Sequence, residues 1–92
     1  MKEAKILIVG KHPEIMKTIL RLINNKPDWT GIGAFTVAEA LSQAGIDVVL
    51  LGAGLSIAET QQIQQNFSVP VVQHYGGGSG LLYAEIYQAL GD

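Results

Sequence analysis

The chain of 92 residues contains no cysteine, which excludes disulfide bonds and every site that needs a thiolate. It also has no run of about 18 apolar residues, the length that a membrane-spanning helix requires. Its amino-terminal apolar run is short and is followed at once by polar residues, unlike a secretory signal. From these absences we predict a cytoplasmic protein of a single domain, residues 1–92, with no membrane partner.

Basic residues are missing from most of the chain. There are six lysines and arginines, and the last of them is Lys26. Because nucleic-acid-binding domains gather basic residues on one face, we expect no nucleic-acid partner. A site formed by the last two-thirds of the chain would have to bind its ligand without a lysine or arginine of its own.

Four apolar, β-branched segments alternate with segments of helical periodicity. The predicted strands are residues 5–9, 29–35, 47–51 and 69–73, and a predicted helix follows each of them. Alternating βα units of this length indicate a parallel sheet with right-handed crossovers and helices on both faces. The sequence therefore predicts a three-layer α/β/α domain with a four-stranded parallel sheet.

Helix-start signals precede the second and third predicted helices. Thr36 with Glu39, and Ser56 with Glu59, have the spacing of a capping box. Gly45 has the position of a glycine that closes the second helix. These signals set the predicted boundaries of the middle of the domain.

Three segments resemble the family of response-regulator receiver domains. ILIVGKHPEIMKTILRLI (6–23) is similar to the family's first strand and helix, DVVLLGAGLS (47–56) to its third strand and loop, and VPVVQHYG (69–76) to its fourth strand. The resemblance covers roughly residues 4–76 and implies a receiver-like, flavodoxin-like fold with strand order 2-1-3-4. Typical receivers have five βα units and four are visible here, so the resemblance implies a domain shortened by one unit.

The positions that carry phosphorylation in receivers hold other residues here. The acidic pair that binds Mg²⁺ falls on Gly10 and Lys11. The phosphoacceptor aspartate falls on Gly52, the residue that senses the phosphoryl group falls on Tyr75, and the family's lysine has no counterpart. Since Mg²⁺ needs carboxylate oxygens and phosphoryl transfer needs the acceptor, the resemblance implies a degenerate, non-enzymatic pseudo-receiver with no catalytic residue, metal or cofactor. Such a domain would serve signalling or regulation by binding a protein partner.

The loss of a fifth strand would leave the fourth strand at the edge of the sheet. An uncovered apolar edge is a template for strand pairing. Val69, Val71 and Gln73 are therefore candidate interface residues, for a homodimer or for strand addition by a partner. The alternative is that Pro70 and the last helix shield this edge.

Two basic residues form a second candidate interface. Lys17 and Arg21 lie four residues apart in the first predicted helix and are adjacent on its surface. By resemblance to receivers, whose first helix helps to dock partners, they could contact an acidic protein. The competing interpretation is an ordinary solvated helix face.

A glycine-rich loop gives an alternative function. Glycines let backbone N–H groups converge, and a helix N-terminus adds partial positive charge, so the loop between the fourth strand and the last helix could hold a phosphate or another small anion. The candidate ligand-binding residues are Gly76, Gly77, Gly78, Ser79 and Gly80. The motif lacks the lysine of a P-loop. The competing interpretation is a flexible connector in which Ser79 caps the last helix.

The two histidines follow the first and fourth predicted strands. His12 and His74 could form a metal or catalytic pair, because imidazole ligates metals and titrates near neutral pH. With no cysteine or carboxylate expected near them, they would make a poor metal site. We interpret each as a partly exposed loop residue.

Overall fold

The computed structural model describes residues 3–76 and 78–91 as four successive βα units. The strands are β1 (Ala4–Val9), β2 (Trp29–Ala34), β3 (Val48–Leu51) and β4 (Val71–Gln73). The helices are α1 (Pro13–Asn24), α2 (Val37–Leu41), α3 (Ile57–Asn66) and α4 (Ser79–Leu90). The sheet is wholly parallel with the order β2-β1-β3-β4, which confirms the predicted topology. None of these helices has the length and hydrophobicity to cross a bilayer.

Both faces of the sheet are covered by helices, because its central strands are apolar on both sides. On one face, α1 and α4 pack on buried residues of the strands, namely Ala4, Ile6, Ile8, Val48 and Leu50. On the other, α2 and α3 pack on Leu7, Val9, Val49 and Leu51. The predicted three-layer arrangement is confirmed.

The last helix lies on the same face of the sheet as α1. Its buried residues, Leu82 and Ile86, belong to the core that also contains Ile19 and Ile23 of α1. No later strand among the described residues constrains α4, so the helix is free to cover whichever face gains more from burial. By lying beside α1, α4 helps to cover the side chains that β3 and β4 present on that face.

An aromatic cluster joins α4 to β2. Trp29, at the start of β2, is buried, and its ring centroid lies 4.9 Å from that of Tyr87 and 5.8 Å from that of Tyr83. The ammonium group of Lys26 lies 4.4 Å from the centroid of the Tyr83 ring. The Tyr83 hydroxyl donates a hydrogen bond of 2.9 Å to the carbonyl of Leu22. These contacts hold α4 against α1 and β2.

The caps of the middle helices differ in part from the prediction. Ser56 and Glu59 form the complete capping box of α3. Thr36 accepts a hydrogen bond from the backbone N–H of Glu39, as predicted, but the Glu39 carboxylate accepts from the N–H of Phe35 rather than from that of the cap. The N-terminus of α2 therefore has half of a capping box: the Thr36 bond is present, and the Glu39 carboxylate bonds one residue before the cap.

The predicted end of α2 at Gly45 is wrong. The helix ends at Leu41, with Ser42 as its C-cap. The hydroxyl of Ser42 donates a 2.7 Å hydrogen bond to the carbonyl of Glu39, and such a side-chain bond competes with the next backbone bond of a helix. Gly45 has a φ of +72°, but it lies in the segment that leads to β3.

The fourth strand is shorter than predicted. It begins at Val71, because Pro70 has no N–H to contribute to the ladder; its carbonyl still accepts a 2.9 Å hydrogen bond from Val49. Val69, which the sequence placed in the strand, precedes it and packs against the core formed with α2 and α3.

Candidate functional site

The carboxyl ends of β1 and β3 lie side by side and bring Gly10 and Gly52 together. Gly52 donates a 2.7 Å backbone hydrogen bond to Val9, and Lys11 donates one of 3.2 Å to Ala53. A Cβ atom added to Gly10 would lie 3.7 Å from the Cα atom of Gly52. At two of the positions where a receiver would hold its acceptor and a metal ligand, Gly52 and Gly10, this chain therefore has no side chain. No group of three or more potential metal-ligating side chains occurs within residues 3–76 and 78–91.

The side chain of Lys11 is bound to neighbouring elements. Its ammonium group lies 2.9 Å from Oε2 of Glu59 and donates a 2.8 Å hydrogen bond to the carbonyl of Phe35. The backbone N–H of Ser56 and the ammonium group of Lys11 lower the pKa of Glu59 below its usual value, since both favour the ionised carboxylate. Lys11 thus links the end of β1 to the start of α3.

Tyr75, at the position where a receiver senses the phosphoryl group, does not pack in the core. Tyr75 follows β4 directly and is 90% exposed. It lines the groove described below, and its hydroxyl makes no hydrogen bond with any described residue.

A groove of about 500 Å³ opens between α1 and the loop that joins β4 to α4. Such a volume lies within the range of small-molecule sites. Its apolar walls come from Ile15, Ile19 and Leu22 of α1 and from Leu82 of α4. Ile15 is 48% exposed, although its helical spacing predicts a core position, because its side chain faces this groove.

The groove contains a buried histidine that is paired with a carboxylate. His74 is only 8% exposed, and its Nδ1 atom lies 2.5 Å from Oε1 of Glu85 on α4. The prediction of a partly exposed His74 with no carboxylate near it is therefore wrong. Sequence reasoning missed the pair because the eleven-residue separation carries no signal until α4 is known to fold back beside α1. His12 is exposed, precedes α1 and does not line this groove, so the structure does not bring the two histidines into one site.

The glycine loop forms one rim of the same groove. Gly76 and Gly78 line it, whereas Ser79 and Gly80 do not; Gly77 lies outside the described residues. Gly76 needs its glycine identity because its φ is +100°. The predicted cap by Ser79 is wrong, because Gly78 is the N-cap of α4 and no side chain bonds to that terminus. Ser79 instead occupies the first helical position, where its hydroxyl cannot act as the cap.

Lys17 and Arg21 lie on the surface of α1, and their role as an interface stays a prediction. Lys17 and Arg21 are exposed on α1, and neither takes part in an ion pair with a described residue.

No protein-family model matches the sequence, and no curated protein matches it significantly. Solved structures do match. The N-terminal domain of a response regulator/sensory box/GGDEF 3-domain protein from Carboxydothermus hydrogenoformans is 19% identical, with a TM-score of 0.71 over 94% of this chain and 93% of that one. The signal receiver domain of the putative response regulator NarL from Mycobacterium tuberculosis is 15% identical, with a TM-score of 0.63 over 100% of both chains. The chain therefore has a receiver-like fold.

A different class of protein is similar in structure as well. The lactose-specific IIB component domain of the phosphoenolpyruvate:carbohydrate phosphotransferase system from Streptococcus pneumoniae is 14% identical, with a TM-score of 0.66 over 98% of this chain and 93% of that one. Identities this low establish the shared fold alone. Function has to be argued from the residues at the site.

Proposed function

We propose that this protein is a cytoplasmic signalling or regulatory domain that binds a protein partner, and that it cannot accept a phosphoryl group on aspartate. The observation that carries the proposal is that Gly10 and Gly52 lie next to each other at the carboxyl ends of β1 and β3. A receiver-like sheet is retained there without the carboxylates that phosphorylation uses. The proposal needs no catalytic residue, metal or cofactor, and its partner is neither nucleic acid nor membrane.

The chemistry supports the first half of the proposal. Aspartyl phosphorylation needs a carboxylate nucleophile and a divalent cation that neutralises the phosphoryl oxygens. Gly52 provides no nucleophile, and neither Gly10 nor Lys11 can ligate Mg²⁺. The carboxylate of Glu59, which lies against Lys11, is occupied by that lysine and by the N-terminus of α3.

The two edges of the sheet support the second half, because they are protected differently. On β2, the side chain of Asn24 accepts a 2.9 Å hydrogen bond from the N–H of Gly31, so this N–H is not available for pairing with another strand. On β4, the carbonyl of Pro70 and the N–H of His74 both face β3. Because peptide groups alternate along a strand, those of Val71 and Gln73 face away from β3.

The free peptide groups of β4 suit a second copy of the chain. Two copies that pair through β4 about a two-fold axis would merge their sheets into one. Val71 and Val72 are half-buried, so pairing would also remove apolar surface from water. We assign the homodimer interface to β4, with Val69 beside it, rather than to Lys17 and Arg21.

Sedimentation equilibrium over a range of concentrations tests this interface. The wild-type chain is expected to self-associate, and Val71→Pro is expected to remain monomeric, because proline removes an outward-facing N–H without removing an apolar side chain. The matched control is Lys17→Ala with Arg21→Ala, which should associate like the wild type. A monomeric wild type, or association lost in the control and retained in Val71→Pro, would contradict the assignment.

A further inference from the structure

We propose that the groove between α1 and α4 binds a small organic oxyanion, a carboxylate or phosphomonoester that carries an apolar group. The proposal goes beyond the interaction role and does not depend on it. The groove adjoins the receiver phosphorylation positions, since Gly52 and Tyr75 also line it, but its anchor is His74 at the end of β4.

His74 is the first element of the site. Its Nδ1 atom is paired with Glu85, which fixes the ring orientation, as a carboxylate behind a metal-binding or catalytic histidine does. No described residue bonds to Nε2, and no buried side-chain nitrogen among the described residues lacks a partner. Nε2 is therefore reached from the groove that His74 lines. With Nδ1 held by Glu85, Nε2 is the ring nitrogen available for a hydrogen bond with a bound oxyanion.

The N-terminus of α4 is the second element. Its first N–H groups have no side-chain cap, and its first turn has no acidic residue, whereas the first turns of α1, α2 and α3 each have one. An oxyanion at the groove rim would accept hydrogen bonds from these groups and interact favourably with the helix dipole.

Unlike Gly76, Gly78 at this rim is not required to be glycine by its backbone angle or by packing. A Cβ atom on Gly78 would meet nothing within 4 Å, and its φ of −81° is ordinary for any residue. By contrast, a Cβ atom on Gly33 would lie 3.0 Å from Sδ of Met16, so that glycine is required by packing. An absent side chain at Gly78 is accounted for by a ligand that approaches the backbone.

The remaining lining sets the class of ligand. Ile15, Ile19, Leu22 and Leu82 offer an apolar wall, so the oxyanion should carry an apolar group rather than be a bare inorganic ion. Glu14 lies on the α1 side of the rim and is exposed. The anionic group is therefore expected at the opposite rim, near Gly76 and Gly78.

Titration of the isotope-labelled full chain, followed by NMR, tests the proposal with phenyl phosphate and benzoate as probes. Saturable shifts are expected at the amides of Gly76, Gly78 and Ser79 and at the methyl groups of Ile15 and Leu82. Binding of phenyl phosphate only, or of benzoate only, identifies the oxyanion within the proposed class. Inorganic phosphate that binds as tightly as phenyl phosphate would overturn the requirement for an apolar group, and no saturable shift with either probe would overturn the site.

A pair of matched variants tests whether the ligand binds at the groove rim near Gly78. Gly78→Leu places a side chain in the groove, where an added Cβ atom meets nothing within 4 Å, whereas Ala84→Leu adds a leucine at an exposed position of α4 that does not line the groove. Gly78→Leu is expected to weaken binding at least about tenfold, and Ala84→Leu to leave it unchanged. Equal binding by both variants would overturn the assignment.

The histidine pair is tested by removing both partners together. In the double variant His74→Leu/Glu85→Leu, apolar groups replace the two partners, which avoids a buried unpaired group and preserves the fold. Well-dispersed spectra with at least about tenfold weaker binding are expected. A folded double variant that binds like the wild type would contradict the role of His74. If the double variant does not fold, the Gly78→Leu result decides the proposal.

Discussion

Replacement of Trp29 by alanine is expected to lower the free energy of unfolding by about 3–5 kcal/mol, the usual cost of truncating a buried tryptophan. The side chain is buried and lies against the rings of Tyr83 and Tyr87. Its loss creates a cavity at the junction of β2 and α4 and removes the ring pairs that help to hold α4 against β2. For a domain of this size, such a loss is a large fraction of the total stability.

Urea denaturation of Trp29→Ala, followed by circular dichroism, measures the change. Tyr75→Ala is the matched control, because its aromatic side chain is 90% exposed, and it should change stability by less than about 0.5 kcal/mol. Hydrogen exchange should also show a selective loss of protection in α4. Equal stability of the two variants would mean that the aromatic cluster does not hold α4 in place.

Replacement of Gly54 by alanine is expected to destabilise the domain by about 2–4 kcal/mol, from backbone strain and overpacking together. Gly54 has a φ of +93°, and an added Cβ atom would lie 2.8 Å from Cβ and 3.1 Å from Cγ of Lys11. The clash involves the base of the Lys11 side chain, which cannot move without shifting the end of β1. The ion pair between Lys11 and Glu59 should be disturbed as well.

Gly45→Ala separates the two causes. Gly45 also has a positive φ, +72°, but an added Cβ atom would meet nothing within 4 Å. Only the strain of about 1–2 kcal/mol is therefore expected. Denaturation of both variants under one set of conditions gives the difference. If Gly54→Ala costs no more than Gly45→Ala, close packing of the β3–α3 loop against Lys11 is not a constraint on this fold.

Much of the sheet can be predicted from the sequence, because its signals are local. The continuous apolar runs at residues 6–9 and 48–51 indicate strands buried on both faces, and the resemblance to receiver domains implies the order of the four parallel strands. The capping box of Ser56 and Glu59 is also local and appears as predicted. The boundary at Gly45 fails because a competing side-chain bond from Ser42 ends the helix earlier.

The groove could not be predicted, because it depends on where α4 packs. The crossover rule applies to a helix that leads to another strand, and it does not place a helix that follows the last one. Once α4 lies beside α1, His74 meets Glu85 and Ile15 faces the groove. The sequence indicates the glycine loop, but it predicts only a partly exposed loop residue at His74.

The most direct test of the central claim is the intact mass of the wild-type chain after incubation with acetyl phosphate and Mg²⁺, with an active receiver domain in the same tube to report that the reagent works. Because Gly10, Lys11 and Gly52 provide neither acceptor nor metal ligand, we predict an unchanged mass for this chain while the active receiver gains one phosphoryl group. A phosphoryl adduct on an aspartate or glutamate of this chain would contradict the account.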